Sequence, residues 1–250
     1  NENIRFVTTG TAATDQVQLI ESVENLLYYD YLGVKGANMY KLDILNPVML
    51  YYPKDDPWYT KTLDEVIRLR TQLHEKVEGI QYEYPNTMAA RFIKVDAPVF
   101  ADPELSPEEQ TMYLKSNYFV DEDVLDTLLL NSNILTSKIV SYLSLYQDKN
   151  LNQQQLEEQL IMAVDTVLEK AYVDQTVYEF IIDFMIGGFT AIGFEKGLEH
   201  IANHNLLSEL CVNTERKAEL ENKMELIRKL AIGQPAPDFM TTDVFGDTIQ

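Results

Sequence analysis

Cysteine is nearly missing from this sequence. One cysteine among 250 residues excludes a disulfide framework, a Cys-x-x-Cys redox pair and a cysteine-rich zinc site within the chain. A phosphate-binding Gly-x-x-x-x-Gly-Lys-Ser/Thr loop and a Gly-x-Ser-x-Gly nucleophile elbow are also missing. The longest apolar stretch, from Phe180 to Phe194, is shorter than the roughly 20 residues of a membrane span and contains Asp183. It is expected to form a buried helix, broken at Gly187-Gly188.

Basic residues are scarce relative to acidic ones. Twenty lysines and arginines face forty aspartates and glutamates, so the formal net charge is −20. Such a chain repels phosphate backbones and anionic lipid head groups, which argues against nucleic acid and membrane-surface partners. The charge also opposes self-association, although a locally neutral patch could still form a homodimer. Hydrophobic residues make up 46% of the chain, enough for a soluble protein with a buried core.

Apolar spacing predicts an all-α fold. Residues Ile4 to Thr9 are expected to form a strand, after which helical spacing dominates for more than two hundred residues. A first helix is expected from Asp15 to Leu27, and glycines and prolines predict loops on either side of a helical fragment at Met39–Leu45 within the segment Tyr31–Pro57. Further helices are expected at residues 58–82, 88–95, 107 onward, 122–130, 134–147, 153–172, 176–187, 190–204 and 214–232. This is a multi-helix antiparallel array of about nine helices, with a short N-terminal strand and a C-terminal β-hairpin remnant.

Two helix starts carry strong capping signals. Ser106-Pro107-Glu108-Glu109 has a capping serine, proline at the first helical position and glutamate at the third. Asn152 precedes a glutamine run and predicts another N-cap.

The pattern changes after the last predicted helix. Gly233 and the sequence Gln234-Pro235-Ala236-Pro237 end that helix, and strands are expected at Phe239–Thr242 and Thr248–Ile249 around a turn at Phe245-Gly246-Asp247. The stretch Ile232–Ile249 resembles the opening strands of thioredoxin-like proteins of the peroxiredoxin and TlpA type. In that family the catalytic cysteines follow this hairpin, so the resemblance places no catalytic residue within these 250 positions.

The helical part is similar to a known extension. Residues 10–12 and 84–92, Tyr118-Phe119 and Leu128-Leu129-Leu130 resemble the helical accessory segment that precedes thioredoxin-like domains in exported proteins of some Gram-negative anaerobes. The resemblance implies a periplasmic or cell-envelope location, with the leader outside these residues; Asn1–Arg5 shows none. It also implies three parts: a strand remnant of a β domain at 1–12, a helical accessory domain at 13–232 and the start of a thioredoxin-like domain at 233–250.

The histidines, the cysteine and the acidic runs are candidate metal-binding or nucleophilic sites. His200 and His204 share a helix face and could contact one metal ion, but two ligands fall short of a zinc site, and a solvated helix end is the simpler interpretation. His74 lacks the Glu-x-x-His spacing of a di-iron bundle. Cys211 has acidic and apolar neighbours, which favour a core thiol over a nucleophile. The acidic runs Asp121-Glu122-Asp123 and Glu157-Glu158 lack the calcium-loop pattern.

The N-terminal third is rich in aromatic residues. They could stack on sugar rings or anchor a protein partner, or they could simply pack loops onto helices. They are Tyr28, Tyr29, Tyr31, Tyr40, Tyr51, Tyr52, Trp58, Tyr59, Tyr82 and Tyr84.

These observations assign no catalytic, cofactor-binding or metal-binding residue. The expected function is that of a non-catalytic accessory domain of a cell-envelope thiol–disulfide oxidoreductase, which positions the redox domain or binds a protein partner. The alternative is a protein- or glycan-binding scaffold with no redox role. The expected partners are a protein, the chain's own thioredoxin-like domain or a second copy, without nucleic acid and without a membrane-spanning segment.

Overall fold

A computed structural model describes residues 4–8, 17–119 and 126–207, together with residues 218, 222, 225, 226, 229, 241, 242, 248 and 249. The described residues form eight α-helices and two pairs of short antiparallel strands, which confirms the all-α class. The chain divides into two compact units, Asn1–Leu145 and Tyr146–Gln250. Within the described residues, no helix has the length and apolar character that crossing a membrane requires.

Unit 1 begins with a strand pair and continues as helices. Its elements are β1 (Arg5–Thr8), β2 (Val17–Glu21), α1 (Val23–Tyr51), α2 (Pro57–Glu83), α3 (Met88–Asp96), α4 (Pro107–Asn117), a 3-10 turn (Thr127–Asn131) and α5 (Ile134–Ser144). The first strand lies within the predicted one. A strand at β2 contradicts the helix that was predicted from Asp15, because its backbone pairs antiparallel with β1 instead. Short apolar runs fit either periodicity, and here the strand pairing decides.

Helix α1 corrects a second prediction. It runs unbroken for 29 residues through Gly33, Gly36 and Pro47, where loops were expected. The Ser22 hydroxyl caps its start by accepting a hydrogen bond from the Asn25 backbone N–H at 3.1 Å. One face is then buried along its length, which outweighs the propensity cost of about 1 kcal/mol for each glycine. That face carries Tyr31, Asn38, Leu42 and Met49.

Helix α2 supplies the other side of the unit 1 core. Its predicted apolar spacing is confirmed at Val66, Leu69, Leu73 and Val77, which are buried, whereas Ile67 is exposed. Asn38 of α1 lies among these residues and donates a hydrogen bond to the Leu69 carbonyl at 2.9 Å. This bond satisfies the buried amide nitrogen of Asn38 and fixes the position of α1 along α2.

Helix α3 is held at both ends by charged side chains from other helices. At its start, the Glu24 carboxylate of α1 accepts hydrogen bonds from the first two backbone N–H groups of α3, at 3.1 and 2.7 Å. At its end, Lys35 of α1 donates to the Asp96 carbonyl at 3.0 Å and lies 2.7 Å from the Asp96 carboxylate. Lys138 of α5 is buried and donates to the Val95 carbonyl at 3.1 Å. These signs complement the helix dipole, so the charges stabilise the helix that they contact.

Unit 2 contains α6 (Gln153–Ala171), α7 (Gln175–Ile192), α8 (Glu195–Leu207) and the paired strands β3 (Thr241–Thr242) and β4 (Thr248–Ile249). The predicted break at Gly187-Gly188 is wrong, since α7 is continuous to Ile192. The apolar face of α7 stays buried through both glycines, and the glycines themselves face outward. The helix ends instead at Gly193, whose φ of 69° is the left-handed conformation that glycine adopts without strain.

Both capping signals are confirmed. Ser106 and Glu109 form a reciprocal capping box at α4, and Asn152 and Gln155 form another at α6. The predicted helix at 122–130 is partly replaced by the 3-10 turn, and residues 120–125 lie outside the described residues. The domain boundaries at 12/13 and 232/233 and the turn at 245–247 also lie outside them, so the accessory-domain limits and the C-terminal hairpin stay predictions.

Candidate functional site

The two histidines of α8 contact different helices. His200 Nε2 lies 2.5 Å from Asp165 Oδ1 of α6, and His204 Nδ1 lies 3.1 Å from the hydroxyl of the buried Tyr178 of α7. Each imidazole therefore ties α8 to a neighbouring helix. Within the described residues no group of three or more histidine, cysteine, aspartate or glutamate side chains is placed to hold a metal ion.

Of the remaining chemical candidates in the described residues, Glu157 lies on α6, and His74 lies on α2, where it lines a cleft together with Arg70. Glu157 forms an ion pair with Lys196 at 2.6 Å, and this contact lowers the pKa of the Glu157 carboxyl. His74 has no hydrogen-bond or ion-pair partner in the described part of the chain, so no orienting group prepares it as a general base. Cys211 and the run Asp121–Asp123 lie outside the described residues.

A cleft of about 430 Å³ lies between α2, the loop after α3 and α4. Its charged residue is Arg70, whose Nη1 donates to the Ala101 carbonyl at 2.5 Å and whose guanidinium lies 4.8 Å from the centre of the Phe100 ring. Burial lowers the pKa of Arg70, and the nearby Asp102 partly offsets the effect. The Arg70 Nε is buried without a hydrogen-bond partner among the described residues. Because Arg70 is already engaged with the loop, its evident role is to hold that loop on α2.

The aromatic residues of the N-terminal third separate into two groups. Tyr31 and Tyr59 are buried, and the Tyr28 ring lies 6.4 Å from the Tyr31 ring and packs edge-on to Phe92 at 6.0 Å. Burial, with the charge of Asp96, raises the pKa of Tyr31. The rings of this first group belong to the hydrophobic core of unit 1 or pack against it. A second group is exposed and comprises Tyr29, Tyr40, Tyr51, Tyr52, Trp58 and Tyr82.

Three of the exposed tyrosines lie on one stripe of α1, which we call the outer face. It consists of Leu26, Tyr29, Gly33, Gly36, Ala37, Tyr40, Ile44, Pro47 and Tyr51, all of them exposed. At 3.6 residues per turn these positions fall within about 100° of the helix circumference. No charged or hydrogen-bonding side chain other than the tyrosine hydroxyls lies within that stripe. The residues buried against α2 lie on the opposite side of the helix.

The sequence prediction missed this face because it ended the first helix before Gly33. The signal is nevertheless present, since apolar and small residues recur at intervals of three and four from Leu26 to Tyr51. A helix with apolar stripes on two sides is typical of one that packs between two partners. Exposed apolar patches occur at protein–protein interfaces, at membrane-interaction sites and in ligand-binding grooves.

No family model, no curated protein and no solved structure matches this chain. The candidate site is therefore defined by geometry alone. The outer face of α1 differs in composition from an ordinary solvated helix face, which carries charged side chains.

Proposed function

We propose that the chain is a non-catalytic helical accessory domain of a cell-envelope thiol–disulfide oxidoreductase and that it acts by binding protein. The observation that carries the binding role is the outer face of α1, which exposes large apolar side chains without interspersed charge. The redox context rests on the resemblance of Ile232–Ile249 to the entrance of a thioredoxin-like domain, and the cell-envelope location rests on the same resemblances.

The non-catalytic part of the proposal is supported by the way the charged side chains are used. Glu24, Lys35 and Lys138 contact the ends of α3, and the histidines of α8 contact neighbouring helices. General acid–base and nucleophilic catalysis need such groups to converge on one reacting atom. In the described residues they are distributed among separate helix contacts instead.

The test is an insulin-reduction assay of the chain with dithiothreitol as the terminal reductant. We expect no turnover above the dithiothreitol background, because one thiol cannot form the intramolecular disulfide that such turnover requires. The Cys211→Ser variant should behave identically. Turnover that disappears in Cys211→Ser would show that the chain is itself redox-active and would overturn the non-catalytic assignment.

The redox context has a separate test. The proposal predicts a Trp-Cys-x-x-Cys motif in the coding sequence downstream of Gln250. If an otherwise thioredoxin-like sequence there lacks both cysteines, the scaffold alternative without redox chemistry replaces the proposal. In that case the outer face of α1 keeps its binding role.

A further inference from the structure

We propose that the outer face of α1 binds the same face of a second copy of this chain, with the two helices antiparallel and crossing at Gly36 and Ala37. The inference rests on the proposed protein-binding role and names the partner. It is an isologous pairing, in which each copy offers the same residues to the other.

Two glycines lie at the centre of the outer face. A Cβ atom added at Gly33 or Gly36 meets no atom within 4 Å, and neither residue has a positive φ. Nothing in the described part of the chain therefore requires glycine at these positions, although each costs the helix about 1 kcal/mol relative to alanine. On an exposed helix face, such a glycine leaves a gap into which another backbone or a large side chain can fit.

The order of large and small residues fits a second copy. In an antiparallel pair with a two-fold axis, positions equally distant from the crossing point lie opposite each other. About the point between Gly36 and Ala37, Tyr40 of one copy lies opposite Gly33 of the other. Tyr29 likewise lies opposite Ile44. The Tyr40 ring of one copy therefore fills the space beside Gly33 of the other copy, where no side chain is present. A parallel pair would place Tyr40 against Tyr40 and glycine against glycine, with poorer filling of space.

The charge near α1 is compatible with this pairing. Helices α1 and α2 together contain six basic and eight acidic residues, whereas the whole chain has a net charge of −20. Two copies that meet through α1 therefore bring together a nearly neutral part of a strongly acidic protein, where electrostatic repulsion is weak.

The area is sufficient for a weak dimer. Leu26, Tyr29, Tyr40 and Ile44 are 49%, 58%, 69% and 56% exposed. At roughly 200 Å² for each large side chain they offer roughly 450 Å² per copy. The small residues between them and the flanking aliphatic stem of Lys41 extend the contact toward the lower end of specific interfaces, about 1,200 Å² in total. We expect a dissociation constant in the micromolar range.

The first experiment is sedimentation equilibrium of the chain from about 1 to 200 µM, a range that brackets micromolar association. We expect a monomer–dimer equilibrium that Gly33→Leu weakens at least about tenfold, because the new side chain occupies the space of Tyr40 from the second copy. Gly79→Leu is the matched control, since Gly79 lies on α2 and its added Cβ also meets nothing within 4 Å. Circular dichroism should show that both variants are folded. A monomer at every concentration, or a dimer that Gly33→Leu leaves intact, overturns the proposal.

The second experiment tests orientation in a Cys211→Ser background. Chains with Gly33→Cys and chains with Tyr40→Cys are mixed under mild oxidation, one of them carrying a mass tag. The mixed disulfide should form faster than either like-with-like disulfide. Faster like-with-like crosslinking at both positions would indicate a parallel pair and overturn the antiparallel arrangement. Neither result depends on the insulin assay, so failure of the dimer and failure of the non-catalytic assignment remain distinguishable.

Discussion

Replacing Glu24 with alanine should destabilise unit 1 through a helix that is distant in sequence. The Glu24 carboxylate accepts hydrogen bonds from the Met88 and Ala89 backbone N–H groups, 64 and 65 residues away. Thr87 accepts the next one, from Ala90, at 3.1 Å. The first three N–H groups of α3 therefore all depend on side chains, and two of the three depend on Glu24.

The magnitude follows from the kind of bond. A hydrogen bond to a charged group contributes about 1.5–3 kcal/mol, and the favourable interaction with the helix N-terminus is included in that value. Two such bonds share one carboxylate at a partly buried site, so we expect a loss of about 2–3 kcal/mol for Glu24→Ala. Glu24→Gln keeps an acceptor oxygen but loses the charge, and it should lose about half as much.

The assay is urea unfolding followed by the fluorescence of Trp58, which is the chain's one tryptophan and lies in unit 1. The same variant should melt about 4–9 °C lower. Glu75→Ala, an exposed position on α2, is the control and should change stability by less than about 0.5 kcal/mol. If Glu24→Ala costs no more than Glu75→Ala, the carboxylate does not hold α3 and the capping argument is refuted.

Two further predictions concern caps and glycines. Hydrogen bonds from Ser106 lower the pKa of Glu109 below its ordinary value of 4.5, so its stabilising contribution is complete above pH 4.5 and is lost as the pH falls through the lower folded value. The larger cause is the Ser106 backbone N–H, which Ser106→Ala retains, so an NMR titration of that variant should show the midpoint rising only part of the way toward 4.5. An unchanged midpoint would refute the contribution of the Ser106 hydroxyl. Gly197→Ala should lower the stability of unit 2 by about 1–2 kcal/mol, since the new methyl group overlaps the Phe194 ring. Gly187→Ala, whose Cβ meets nothing within 4 Å, should instead raise it by up to about 1 kcal/mol; a thermal melt in which both variants move the same way would contradict this reasoning.

Local signals in the sequence were sufficient for part of this fold. The caps at Ser106 and Asn152 are read from neighbouring residues, and the apolar period of α2 is long and uninterrupted. In such segments local preference and tertiary packing agree, so a prediction from sequence succeeds.

The two wrongly predicted helix breaks have one physical origin. Glycine and proline predict breaks at Gly33, Gly36 and Pro47 in α1 and at Gly187-Gly188 in α7, yet both helices are continuous. Burial of one face over five or more turns stabilises a helix by more than a few unfavourable residues cost it. That burial depends on contacts with distant segments, which single-residue preferences do not contain. The Glu24 and Lys35 contacts with α3 are invisible to local patterns for the same reason.

Helix α1 shows how structure and proposed function depend on the same residues. Its inner face, with Glu24 and Lys35 at its edge, fixes α3 and the core of unit 1, and this anchoring gives the helix a defined conformation before any partner binds. A preorganised helix loses little conformational entropy on association, so a modest apolar area can support specific pairing.

Weakening the inner contacts should therefore weaken association as well. The converse is not expected, because the outer-face residues are exposed in the part of the chain that the structure describes. Glu24→Gln should raise the dimer dissociation constant under conditions that begin to loosen unit 1, whereas Gly33→Leu should weaken pairing at least about tenfold without lowering the melting temperature. If both variants lower stability to the same extent, the two faces of α1 are not independent and the outer face belongs to the fold.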